Sequence, residues 1–221
     1  AYYYYNLLDC FGNVPIVTDF TQKELPANSP RKDVFAFIEK ELKDILPILP
    51  SGTTYAKFTQ NVANTLLARL YLNAEVYTGT PRWQDCLDAC SKVQGYSLTP
   101  NYKASFAIQN EKSPEIIFSI PYDHKQGTVG NYLASMTYHY NQKLAFDPAG
   151  VYQWCGNGIC AQPGLYSSFD EKDVRRQCLL IGQQYSAKDG SEVLMDDGSP
   201  LNYTEEIDNF TDAAKNAGAR L

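Results

Sequence analysis

Side chains able to start covalent chemistry are sparse in this 221-residue sequence. It carries two histidines, His124 and His139, and a nucleophilic serine or cysteine needs a base poised beside it. His139 sits among aromatic neighbours in TYHYN, yet no nucleophile-elbow pattern surrounds a serine. Carboxylate pairs of the kind that hydrolyse glycosides can be drawn from Asp170, Glu171 and Asp173, or from Asp196 and Asp197. Acidic side chains equally serve turns and helix starts, and we read both groups as structural. There is no glycine-rich phosphate loop and no dinucleotide fingerprint, so Gly156-Asn157-Gly158 reads as a tight turn. The sequence predicts no catalytic residue and no cofactor. The triplets at Asn202 and Asn209 match the glycosylation acceptor, which matters only in a eukaryotic secreted protein.

Six cysteines add little reactive chemistry. Cys86 and Cys90, four apart on an expected helix, read as small buried apolar residues. A metal would need further ligands beside them, so no metal site is predicted. Cys155 and Cys160 bracket the Gly-Asn-Gly turn. In an oxidising compartment they could close that loop as a disulfide, and spacing alone leaves this open.

What the sequence offers instead is a surface for binding. It has 17 tyrosines, 10 phenylalanines and 2 tryptophans, and Tyr and Trp combine a flat apolar face with a hydrogen-bonding edge. Tyr132, Tyr138, Tyr140, Tyr152, Trp154 and Tyr166 fall within one stretch that has no helical or strand period. Aromatic faces stack on the C–H faces of pyranose rings, and Asn or Gln amides bond their hydroxyls. Tyr132, Tyr138, Tyr140, Trp154 and Asn157 are therefore the candidate sugar-binding residues. The same composition also suits a protein interface.

The elements that must position this stretch are mostly helices. Residues 61–79 show apolar side chains at Val62, Leu66, Leu67, Leu70, Tyr71, Ala74 and Tyr77, the spacing of one helix face. Thr59 is placed to cap its start and Gly79 to close its end. Ala63, Ala68 and Ala74 allow close approach by neighbours, as a helix buried between two others requires. Before it, Tyr2 to Phe11 reads as a helix stopped at Gly12. Ser29-Pro30 is expected to start a second, with Val34, Phe35, Ile38, Leu42, Ile45, Leu46 and Leu49 inward. After it, residues 83–93 are expected to form a helix with Cys86, Leu87, Cys90 and Val93 inward. The pair has the length of a tetratricopeptide unit.

Residues 1–94 thus form a helical part and 95–221 a loop-rich part. In the latter, EIIFSIPY at 115–122 is expected to be a short strand, CLLIGQQY another, and EVLMDDGSPLNYT a hairpin turning at Asp197-Gly198. The apolar opening and the unclosed end both read as cuts in a longer polypeptide.

Composition excludes several partners. With 25 acidic against 19 basic residues the net charge is −6, so there is no electrostatic footprint for nucleic acid. No apolar run reaches the ~20 residues of a membrane-spanning helix.

The runs YYYNLLDCFGNVPIVTD, VFAFIEKELKDILPILP, AKFTQNVANTLLARLYLNAEVYTGTPRWQDCLDACSKV and EIIFSIPYD, in this order, closely resemble the SusD/RagB family of Bacteroidetes surface lipoproteins. The resemblance is most specific at ANTLLARLYLNAEVYTGTPRW. It implies a mainly α fold of tetratricopeptide-like helix pairs, a SusD-like α-α superhelix, with a loop-rich part carrying short strands and the ligand surface. It further implies non-catalytic glycan capture at the outer-membrane surface and a SusC-type TonB-dependent transporter as partner. The membrane would be reached only through a lipid anchor absent from this chain, since Cys10 does not match the family's lipidation cysteine. In starch-binding members the resemblance implies an aromatic near the turn at Asn157 to Cys160; this chain has Ile159 there and Trp154 a few residues earlier, so the resemblance does not name the glycan. A helical-repeat adaptor with tyrosines on a concave groove is the alternative.

Overall fold

The structure, a computed structural model, describes residues 1–107, 109–122, 132–146 and 155–207. The chain forms two compact units, Ala1–Pro121 and Tyr122–Leu221. The first is helical: α1 (Tyr2–Phe11), α2 (Arg31–Ile45), α3 (Gln60–Leu72), α4 (Ala74–Thr78) and α5 (Trp83–Ser91), then a 3₁₀ turn at Tyr102–Phe106. The second holds α6 (Tyr132–Thr137), α7 (Lys143–Phe146), a 3₁₀ turn at Val174–Cys178, and the antiparallel pair β1 (Gly182–Gln183) and β2 (Asn202–Tyr203). This is the mainly α architecture with short strands that the sequence predicts. Among the described residues, no helix is long and apolar enough to cross a membrane.

Helix α3 is the axis of the first unit. Thr59 caps it, its hydroxyl accepting from the Val62 N–H, and Gly79 closes α4 in the left-handed region at φ 79°. The expected single helix breaks at Asn73, whose amide donates to the Arg69 carbonyl. Nine of the thirteen residues of α3 are buried, Asn61 and Asn64 included, because α2, α4 and α5 all pack against it. Asn61 is buried and satisfied: its amide donates to Gly52 and Gln94 carbonyls, each at 3.0 Å, and its oxygen accepts from the Gln94 N–H.

Helix α2 starts one residue later than predicted. Ser29 is engaged in a bridge with Val14, and the Arg31 N–H is capped from outside by the Asn13 side chain at 2.8 Å. The inward face holds at Val34, Phe35, Ile38 and Leu42, whereas Ile45 is exposed. On α5 the expected face is corrected. Ala89 is the buried residue, Cys86 is half-buried, and Leu87 and Cys90 face solvent, because α5 rests on α3 through a narrower stripe than its apolar residues outline.

Polar ties fix these helices in register. One Glu39 oxygen accepts from Lys43 at 2.6 Å, Tyr71 at 2.8 Å and Arg82 at 3.1 Å, joining α2, α3 and the approach to α5. The Arg82 guanidinium also lies over the Tyr71 ring, 4.8 Å from its centroid. Tyr77 on α4 donates to Asp9 on α1 at 2.7 Å.

Residues 95–121 fold back onto these helices instead of joining the loop-rich part. Ser97 donates to the Pro114 carbonyl, Thr99 donates to Glu115, and the Phe118 ring packs on Phe58 and Tyr2. The expected strand at 115–122 does not form: Glu115 lies in a turn and Ile117 at a bend, and no strand is present over these residues. A β-branched run sets the backbone preference; it does not supply a partner.

The second unit has a smaller core of Val193, Met195, Leu201 and Tyr203. The expected hairpin forms, bridged at Leu194 and Pro200 and turned at Asp197-Gly198.

Burial alone would raise the Glu39 carboxyl, but the three donors outweigh it and hold the carboxyl below the ordinary glutamate range. A depressed carboxylate stabilises above its unfolded value, and that stability is lost as pH falls through the folded one. Urea unfolding of wild type and Glu39→Gln should therefore differ at neutral pH, and the difference should shrink as pH drops below about 4. Leu70→Ala, at a fully buried position, should cost about 2–5 kcal/mol in the same assay.

Candidate functional site

The candidate surface lies in the second unit, where a short helix and a distant loop are clamped by backbone hydrogen bonds. Helix α6 ends at Thr137, leaving its last carbonyls without intrahelical partners. The loop at residues 156–159 fills them. Gly156 N–H donates to the Ser135 carbonyl at 2.7 Å, Asn157 to Tyr138 at 2.8 Å, and Gly158 and Ile159 both to Met136, at 2.8 and 2.9 Å. Asn157 adopts φ 48°, a conformation Asn accepts more readily than most residues. A Cβ at Gly158 would lie 2.2 Å from the Met136 methyl, the free end of a flexible side chain that would have to swing aside.

This clamp brings two of the predicted residues together, Tyr138 and Asn157, both half-buried. Tyr140 follows two residues on with 47% of its surface exposed, its ring edge-on to His139 at 5.5 Å between centroids. Tyr132 opens α6. Trp154 and Tyr152 lie outside the described residues. Tyr166 is not on the platform; it packs with Phe169 on Ala161 and Leu179, under the Arg176 guanidinium 4.3 Å from its ring.

The support beneath is polar and closely bonded. His139 is buried; its Nδ1 accepts from the Asn141 backbone N–H at 3.1 Å, and the His139 backbone N–H donates to the Tyr203 hydroxyl at 3.1 Å. An imidazole whose Nδ1 lone pair is engaged in this way orients the Tyr140–Asn141 corner. Gln142 donates to Gln184 at 3.1 Å, and Gln184 in turn bonds the Gly182 and Leu201 carbonyls. Asn141 donates to the Leu194 carbonyl at 2.9 Å and to Asp196 at 3.1 Å, fastening the corner to the hairpin. Sequence reasoning missed Asn141, Gln142 and Gln184, and it read Asp196 as structural without finding its partner Asn141. The Asn141–Asp196 bond spans 55 residues, and no spacing rule links such a pair.

The acidic groups are structural where bonds define them. Asp170 accepts from the Lys172 N–H, Asp173 from Arg175, and Asp197 from Ser199. Cys155 and Cys160 are free thiols, so the loop is not closed by a disulfide, and burial pushes the Cys155 thiol up. Among the described residues, no three His, Cys, Asp or Glu side chains converge as metal ligands.

A second concavity, of about 530 Å³, opens on the first unit. Leu42, Ile45, Leu49, Phe58, Leu66 and Phe118 line it. Its walls are oily, with no amide or carboxylate to read hydroxyl groups.

The clamp makes a stability prediction. Gly158→Ala should cost under about 1 kcal/mol in urea unfolding, because the Met136 methyl can swing aside. In a Met136→Ala background the cost should fall further, since no methyl remains to move.

No family model matches the chain. Over 132 residues, 56% of this chain and 24% of the relative, the sequence is 34% identical to the starch-binding protein SusD of Bacteroides thetaiotaomicron. The fold is similar to a SusD superfamily protein from Bacteroides fragilis, with a TM-score of 0.65 at 19% identity over 99% of this chain and 49% of that one. It is also similar to surface glycan-binding protein A from Bacteroides uniformis, with a TM-score of 0.65 at 20% identity over 86% of this chain and 41% of that one. The chain spans about a quarter of the curated relative and less than half of these solved chains. The chain is thus similar in sequence, over its matched part, to SusD and similar in fold, over nearly all of its length, to a SusD superfamily protein.

Proposed function

We propose that the protein binds glycan at the bacterial cell surface without cleaving it and delivers it to a SusC-like TonB-dependent outer-membrane transporter. The observation that carries this reading is the clamped α6 corner. It holds an exposed Tyr140 ring beside the Tyr138–Asn157 loop on a support fastened by His139, Asn141 and Gln142. A rigid aromatic loses little entropy when a sugar stacks on it, so such a ring favours binding. The carboxylates that could hydrolyse a glycosidic bond are spent instead on turns at Asp170, Asp173 and Asp197. The similarity to proteins named for starch binding and surface glycan binding supports the same reading. Trp154 belongs to the proposed surface by its place in the sequence.

The oily concavity of the first unit favours the adaptor as a second reading. Leu42, Ile45 and Leu49 on one wall and Val62 and Leu66 on the other suit an amphipathic helix.

Affinity electrophoresis through polysaccharide gels separates the two. Wild-type protein should be retarded by at least one polymer, and Tyr140→Ala and Trp154→Ala should each weaken that retardation about tenfold or more with unchanged unfolding midpoints. Free migration through every gel, with capture of an amphipathic peptide that Ile45→Asp abolishes, would establish the adaptor instead.

A further inference from the structure

The oily concavity of the first unit does not stop where its apolar walls do. Tyr2, Val62, Leu66 and Phe118 line it and also line a second hollow of about 420 Å³, so the two adjoin along these four side chains. The second hollow differs in character, because it adds Thr65, Arg69 and Glu115. The result is a trough that is hydrocarbon at one end and polar at the other. A cavity that is mostly apolar, with a few polar groups gathered in one place, is what a small ligand requires. Around the apolar end Ile45, Phe58 and Ile120 stay 41%, 45% and 60% exposed, a concentration of apolar surface in water that an occupant would relieve.

At the polar end the group left to be paired is Arg69. Its guanidinium lies over the Tyr5 ring, 5.7 Å from the centroid, and it makes no ion pair among the described residues. The carboxylates around it are engaged elsewhere: Glu115 accepts from the Thr99 hydroxyl at 2.9 Å, and Asp9, which acts on the same Tyr5, accepts from Tyr77 at 2.7 Å. Size narrows the choice of occupant. A helix about 10–12 Å across would fill the apolar chamber of about 530 Å³ in little more than one turn, whereas an extended acyl chain is far narrower and is enclosed along most of its length.

We propose that this trough binds a long-chain monocarboxylate, its acyl chain among Leu42, Leu49, Phe58 and Leu66 and its carboxylate on Arg69. The acyl chain supplies affinity by leaving water, and the guanidinium selects an anionic head over a neutral one. The site lies wholly within the first unit and does not depend on the glycan reading.

Isothermal titration of the full 221-residue chain, with each amphiphile below its micelle concentration, decides the matter. Decanoate should bind one to one, and butyrate, which has the head but little chain, should not. Arg69→Gln should weaken decanoate about tenfold and leave the neutral decan-1-ol within about twofold. Ile45→Asn should weaken acid and alcohol alike, by about fivefold. Both positions are exposed, so unfolding midpoints should hold. Decanoate that binds no better than butyrate, an Arg69→Gln variant that loses acid and alcohol equally, or an Ile45→Asn variant that loses neither overturns the inference. Capture of an amphipathic peptide without binding of decanoate overturns it in favour of a partner helix. None of these outcomes bears on retention in polysaccharide gels, which tests the glycan reading by itself.

Discussion

A helix covered on more than one side must find partners inside the protein for every polar group it carries, and α3 sets this condition for the first unit. Asn61 meets it by reaching to two loops, at Gly52 and Gln94, so the same amide that satisfies the helix also fixes where its flanking segments run. Tyr71 meets it through Glu39, whose remaining capacity draws in Lys43 and Arg82. Breaking this hub would strand charge against apolar surface, which costs more than the pairing contributes. Tyr4, Tyr71 and Tyr77 share one design: a packed ring and a hydroxyl donating to a fixed acceptor, the Val17 carbonyl, Glu39 and Asp9 respectively. Part of the aromatic richness is therefore architecture.

In the second unit the same economy works with weaker elements. Two-residue strands and one-turn helices have little propensity to form alone. They persist because Gln142, Gln184 and Asn141 cross-link them and because Tyr203 fills the small core while its hydroxyl holds the His139 backbone. The candidate surface borrows its rigidity from this lattice of side-chain amides.

How legible each feature was depended on how local its cause is. Thr59, Gly79 and the Asp197-Gly198 turn act within a few residues of where they stand, and the sequence announces them. The cap on α2 comes from Asn13, 18 residues upstream, so Ser29 looked like the cap when it was not. Leu87 and Cys90 were assigned inward from apolarity alone, but a nine-residue helix cannot show which part of its stripe a neighbour will cover. The segment after residue 95 looked loop-like, yet Phe118 packs it on Tyr2 of α1 and on Phe58 while Thr99 and Glu115 tie it to itself, contacts that no periodicity encodes. In the candidate site, composition pointed to Tyr138, Tyr140 and Asn157. Their common support was invisible because its bonds run between segments far apart in sequence.

The loop at 156–159 is held by four consecutive N–H groups, three on the Ser135 and Met136 carbonyls of α6 and one on the Tyr138 carbonyl. A clamp made of backbone groups does not depend on which side chains it carries, apart from the positive φ at Asn157. A change at the half-exposed Ile159 can therefore alter what the loop presents without releasing it from the helix.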